Sequence, residues 1–143
     1  MNYELVFSVS GMLSMAGWLA LLASPWMPAW SDRIAGWAIP LVLSLGYFSL
    51  LVFFPPESGG FDSLAEVSEL FSNDSALMAG WIHYLAFDLF IGAWICRRAR
   101  QDDLPFGFVL PCLPLTFLFG PVGLLLFSAI LGVRRLRQSP ASA

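Results

Sequence analysis

The segment WIHYLAFDLFIGAW, residues 81–94, is typical of the middle of a membrane helix, yet it carries two ionisable side chains. His83 is the only histidine of the chain, and Asp88 follows five residues later. A charge at the centre of a bilayer costs about 2.5 kcal/mol or more, so such groups normally face the interior of a helix bundle. The segment therefore predicts a membrane bundle and marks this helix as its candidate functional element.

At 100° per residue, His83, Tyr84 and Asp88 share one broad face of the helix, and Phe87 and Trp94 lie within it. The opposite half is apolar: Ala79, Ile82, Leu85, Ala86, Leu89 and Ala93. Tyr84 and Asp88 are four residues apart and can pair directly. His83 and Asp88 are about 140° apart around the helix, so they can meet only through another helix, a water or a ligand. We expect the three polar groups to face the bundle interior as catalytic residues. The alternative is that each is simply satisfied within the bundle.

The composition excludes an ordinary soluble domain. Hydrophobic residues make up 58% of the 143 residues and charged residues only 12%, against roughly 25% charged in soluble proteins. The net charge of −3 argues against a nucleic-acid partner. Cys96 and Cys112 are expected to be buried helix residues, and one histidine with one aspartate makes an incomplete metal shell, so we predict neither a metal nor a cofactor. The first residues lack a basic stretch, which favours a bacterial inner-membrane protein over a cleaved precursor.

Four segments approach the length of about 20 apolar residues that crosses a bilayer: residues 5–23, 34–54, 75–95 and 106–133. We predict an all-α integral membrane bundle of about four transmembrane helices, forming a single domain over residues 1–138, with a disordered tail at 139–143. Apolar residues at helical spacing in the acidic loop 55–74 predict a short surface helix. A lid over a cavity mouth is the alternative function for that helix.

The fourth segment contains LPCLPLTFLFGPVGLLLF, residues 110–127, and is broken by proline and glycine. Two interpretations remain: a kinked helix, or a break that shapes a binding cavity. Thr116 is a candidate donor to carbonyls that the prolines leave free. We predict a substrate-binding set of Thr116, Gly120 and Pro121 together with Phe87 and Trp94.

Basic loops stay on the cytoplasmic side of a membrane. The arginines after the third span therefore predict a cytoplasmic end there, with the acidic loop and the N-terminus outside. Four full spans would place the arginines after residue 133 outside, against this rule. Either the fourth segment is re-entrant or the tail departs from the rule, and we favour four spans with an irregular fourth.

Two stretches, HYLAFDLFIGAW at 83–94 and the broken segment at 110–127, resemble the family of the plant neoxanthin synthase, the abscisic-acid-deficient type of small membrane protein. The resemblance is strongest over residues 81–127. It implies an isomerisation of an epoxycarotenoid to an allenic carotenoid, with no net redox change and no redox cofactor. A carboxylic acid and a base across an apolar slot suffice for that chemistry.

The resemblance implies a membrane-embedded isomerase that acts on a carotenoid or another isoprenoid. Asp88 is then our candidate general acid, His83 the base or orienter, and Tyr84 the residue that positions Asp88; these roles come from the helix face. The expected partners are membrane lipid and an isoprenoid ligand, and a homo-oligomer is left open. The alternative function is a non-catalytic pigment-binding, lipid-binding or assembly protein of the membrane, so enzymatic activity is also left open.

Overall fold

Three helices of the computed structural model, which describes residues 1–138, are long and apolar enough to cross a membrane: Tyr3–Leu22, Pro28–Phe53 and Asp74–Gln101. The first is α1, and the third is α5. The second comprises α2 (Pro28–Arg33), a π-helical turn (Ile34–Ala38) and α3 (Ile39–Phe53), and the short helix α4 (Leu64–Phe71) follows it. The remaining helices are α6 (Phe106–Val109), α7 (Cys112–Phe119) and α8 (Pro121–Gln138). The tail predicted at residues 139–143 lies outside the described residues.

Helix α5 is the centre of the bundle, and α1 and α3 pack on the half that the sequence marks as apolar. All six of its apolar residues named above are buried. Small residues allow close approach: Gly17 of α1 lies against Leu89, and Gly92 of α5 lies against Trp18 and Leu21. Protein packing, not lipid, therefore covers this half of α5.

The second long helix begins at Pro28, six residues before the predicted start, and contains a π turn immediately before Pro40. The amide of Ile39 donates to the carbonyl of Ile34, five residues back. Pro40 has no N–H for the carbonyl four residues before it, so the regular α ladder is interrupted at this point. The irregularity expected at Pro40 thus takes the form of a widened turn.

The fourth segment does not run straight through the bundle. Gly120, with φ +31°, separates α7 from α8, and Gly123 packs on α7 so closely that a Cβ there would lie 2.6 Å from the carbonyl oxygen of Cys112. At the other end of α8, Arg134 Nη1 donates to the carbonyl of Asp103 at 2.8 Å. Residues 104–134 therefore form a helical hairpin that returns to the end at which it starts.

The hairpin tip lies halfway along α5. Gly120 contacts Asp88 of α5. Asp88 lies 14 residues before Asp102, the residue that caps the C-terminal end of α5, or about 21 Å at roughly 1.5 Å per helical residue. The 28 residues of α5 span about 42 Å on the same scale. Non-helical backbone at such a depth is tolerated only where protein or water covers it, and Gly120 is buried.

Because the hairpin returns, all seven arginines of the chain lie at one end of the bundle. Arg100 bridges to Asp32 at 2.5 Å, Arg98 to Asp102 at 2.9 Å and Arg135 to Asp102 at 3.9 Å. The far end is acidic: Glu4, Glu57, Asp62, Glu66, Glu69 and Asp74 lie there. Four spans, the choice favoured from the sequence, is therefore corrected: three helices among residues 1–138 qualify as spans, and the fourth segment is re-entrant. This removes the conflict with the distribution of arginines.

The all-helical fold, the proline and glycine break and the surface helix are confirmed. Ser63 caps the start of α4: its hydroxyl accepts the amide of Glu66 at 3.2 Å, as N-cap residues do. Leu70 is buried, and Phe71 lies against Gly80 of α5. The surface helix is therefore packed on the acidic end of the central helix.

Candidate functional site

Asp88 lies against the tip of the hairpin. A Cβ added to Gly120 would stand 3.2 Å from Asp88 Cγ and 3.3 Å from its Oδ2, so only glycine leaves room for the carboxyl group. Oδ2 is buried and has no hydrogen-bond partner among residues 1–138. A buried carboxyl oxygen without a partner is costly, so this atom is the most prominent unmet polar group at mid-depth.

Tyr84 connects α5 to the hairpin. Its hydroxyl donates to the carbonyl of Phe117 at 2.6 Å. In a continuous helix that carbonyl would accept the amide of residue 121, but Pro121 has none. Tyr84 therefore supplies the missing donor for the Phe117 carbonyl, and it stands one turn before Asp88 on α5. The positioning of Asp88 by Tyr84 stays a prediction.

Thr116 is fully buried one turn before the tip. Its hydroxyl donates to the carbonyl of Cys112 at 2.8 Å, and its own carbonyl accepts the amide of Gly120 at 2.9 Å. Thr116 thus satisfies a carbonyl within α7, as the sequence suggests. The carbonyl freed by Pro121 is satisfied by Tyr84 instead.

His83 lies on a different side of α5. It is exposed, its ring stacks on Phe87 with centroids 4.6 Å apart, and Tyr47 of α3 lies at 5.7 Å. The expectation that all three polar groups face the bundle interior is therefore wrong for His83. The hairpin reaches along α5 only as far as Asp88, so the N-terminal part of α5, which contains His83, has no hairpin beside it.

The predicted substrate-binding residues divide into separate groups. Thr116, Gly120 and Pro121 belong to the hairpin, with Asp88 against its tip. Phe87 is 56% exposed beside His83, and Trp94 packs edge-to-face on Phe127 of α8 at 5.8 Å. Trp94 therefore holds the returning arm of the hairpin, while Phe87 borders the lipid-facing side of the helix.

Two residues of this site, Phe117 and Gly123, were missed from the sequence. A signal for Phe117 was available, because Pro121 leaves the carbonyl four residues before it without a donor. Gly123 carried no comparable signal. Its need for glycine arises only because α8 folds back against the backbone of α7, where a Cβ would meet Thr116 and Cys112.

Among the described residues, no three histidine, cysteine, aspartate or glutamate side chains come together as a metal-binding group. Cys96 and Cys112 are free and buried, as predicted. The groups available at mid-depth are one carboxyl, one phenol already engaged and, around the helix, one imidazole. This arrangement can transfer protons and form hydrogen bonds.

The fold and site define a class: helical membrane proteins in which a re-entrant hairpin brings broken backbone to an acid on the central helix. The chain matches the ABA DEFICIENT 4-like family over residues 5–127, and it belongs to that family. Membership suggests an involvement in the carotenoid and abscisic-acid pathway. No curated protein and no solved structure matches the chain significantly.

Proposed function

We propose that this protein modifies a carotenoid or another isoprenoid within the membrane by acid–base chemistry, as an isomerase. The observation that carries the proposal is the partnerless Oδ2 of Asp88 at the hairpin tip. A protonated carboxyl group there is a hydrogen-bond donor and general acid in an apolar setting. Family membership supports an isoprenoid as the substrate.

For an epoxide substrate the proposed step is balanced without an oxidant. Asp88 delivers its proton to the epoxide oxygen as the carbon–oxygen bond breaks. A base removes one proton from the adjacent polyene carbon, and the electron pair of that bond forms the new double bond. His83 is the proposed base or orienter, and Tyr84 acts on the site by holding the hairpin tip beside Asp88. The proton that the base removed from carbon then passes to the Asp88 carboxylate, which restores the acid.

Expression in a carotenoid-producing host tests this proposal. We expect the wild-type protein to change the pigment profile and Asp88→Asn to abolish the change, because an amide is too weak an acid to transfer a proton to the epoxide. Asp102→Asn, in the loop at the basic end, is the matched control and should retain activity. Unchanged pigments with the wild-type protein across several carotenoid backgrounds would refute the isomerase function.

The second candidate function is a non-catalytic membrane protein that binds a pigment or lipid or assists a partner enzyme. The separation of His83 and Asp88 by about 140° around α5 favours it, because one small reacting group does not easily contact both. This function predicts that a ligand copurifies without turnover and that Asp88→Asn leaves its binding largely unchanged. Extracted pigments and lipids from both variants distinguish the two functions.

For the location, we propose the bacterial inner membrane with the basic end in the cytoplasm. The clustering of all seven arginines at one end supports this orientation. The acidic loop with α4 then faces the outside, and the hairpin enters from the cytoplasmic side.

A further inference from the structure

Arg97 differs from the two arginines that follow it on α5. Arg98 and Arg100 each form an ion pair with an aspartate. Arg97 has no carboxylate within bridging distance among residues 1–138, and its Nη1 is buried without a hydrogen-bond partner. A guanidinium keeps its charge at any ordinary pH, so this group lacks a counter-ion within the described protein.

The π turn of the second long helix receives the guanidinium of Arg97. A Cβ on Gly36 would lie 3.6 Å from Arg97 Cζ and closer still to Nη1, so the glycine makes the space that the side chain occupies. On its other side, Cζ lies 5.7 Å from the ring centroid of Phe90. The guanidinium is thus held between α5 and the π turn with its Nη1 donors unused by the described residues.

An apolar groove of about 200 Å³ starts beside this guanidinium. The π turn and the first turns of α3 form one wall, and Ala86, Phe87 and Phe90 form the other. Gly36 and Phe90 both contact Arg97 and both line the groove, so the charge stands at its basic end. From there the groove runs toward the middle of the bundle, along the direction that a lipid chain takes in a bilayer.

We infer that this groove and Arg97 bind one anionic phospholipid of the leaflet at the basic end, with the phosphate on the guanidinium and part of an acyl chain in the groove. Charge complementarity selects the occupant, because an unpaired guanidinium at the depth of the other arginines requires an anion. Basic pockets between membrane helices bind phospholipid headgroups in this way. The site does not include Asp88, but it shares Phe87, which stacks on His83, with the predicted substrate-binding set.

Native mass spectrometry of the detergent-purified protein, titrated with phosphatidylglycerol, tests the inference. We expect one tightly bound lipid per chain, and about fivefold or greater loss of affinity in Arg97→Gln. Gly36→Ala should weaken binding as well while it keeps the charge, because its Cβ displaces the guanidinium tip. Arg33→Gln is the matched control, since Arg33 is exposed and lies over Trp30 at 5.8 Å.

Three outcomes would overturn the site. The first is equal affinity in the wild type and Arg97→Gln. The second is an equal loss in Arg33→Gln, which would show that diffuse surface charge binds the lipid. The third is binding without selection for an anionic headgroup, seen either as equally tight phosphatidylcholine or as a neutral polyene retained in place of a phospholipid. Pigment conversion measured in the same Arg97→Gln protein separates this result from the fate of the proposed isomerase.

Discussion

The three long helices and the re-entrant hairpin are held together by different physical means. Between α1 and α5, apolar side chains interlock with glycines, as where Gly17 lies against Leu89. Between α5 and the hairpin, polar contacts decide the position: Tyr84 donates to the carbonyl of Phe117, and Asp88 sits against Gly120. The long helices satisfy their own backbones, whereas the hairpin has a broken backbone that its neighbours must satisfy.

The largest expected effect concerns the side of the membrane on which the C-terminus lies. A hairpin returns α8 to the end at which α5 finishes. A reporter fused at the C-terminus should therefore lie on the same side of the membrane as a reporter inserted at residues 102–103. A reporter at residues 58–60 should locate to the opposite side. If the C-terminal reporter shares the side of residues 58–60, the fourth segment crosses the membrane and the hairpin is wrong.

Next in size is the effect of Gly123→Ala. The new Cβ would collide with the backbone of Thr116 and Cys112, which cannot move away without opening the hairpin. We expect a loss of about 3 kcal/mol in stability, at the upper end of overpacking costs. A thiol-reactive dye can follow thermal unfolding, because Cys96 and Cys112 are both free and buried.

Gly17→Ala is the matched control for that measurement. The nearest atoms to its Cβ would be Cδ1, Cδ2 and Cγ of the Leu89 side chain, and a side chain can shift more readily than backbone. We therefore expect a smaller loss than for Gly123→Ala. If Gly17→Ala and Gly123→Ala lose equal stability, then packing of α1 against side chains and packing against backbone in the hairpin do not differ in tolerance to an added Cβ.

Tyr84→Phe should have the smallest of these effects on stability. It removes the donor to the Phe117 carbonyl and keeps the ring that stacks on Trp81 at 5.5 Å. Hydrogen bonds between membrane helices contribute about 0.6–2 kcal/mol, so the midpoint of unfolding should fall modestly. Cys112, on the hairpin, should also react faster with a thiol reagent than in the wild type.

Cys96 provides the internal comparison, because it is buried on α5 and does not belong to the hairpin that Tyr84 holds. Its reactivity should stay close to that of the wild type. A Tyr84→Phe protein with unchanged stability and an unchanged Cys112 would mean that the hairpin does not depend on this hydrogen bond.

The helical class and most of the central helix could be predicted from the sequence. Apolar periodicity on α5 separated the buried half, from Ala79 to Ala93, from the half that carries Tyr84 and Asp88, because helix geometry is local. The breaks at Pro111, Gly120 and Pro121 were equally visible, since proline and glycine disrupt a helix wherever they occur. The position of every basic residue on the chain was also known, and their clustering already conflicted with four complete spans.

The tertiary structure decided where the broken segment goes and what each polar group meets. The spacing of Tyr84 and Asp88 allows them to pair, but the donation of the tyrosine hydroxyl to a carbonyl 33 residues away could not be read from that spacing. His83 shares the helix with Asp88 yet contacts α3, because the neighbours around α5 differ from one side to the other. The sequence alone thus determined the helices and their breaks, which depend on local geometry, whereas contacts between distant segments required the packed bundle.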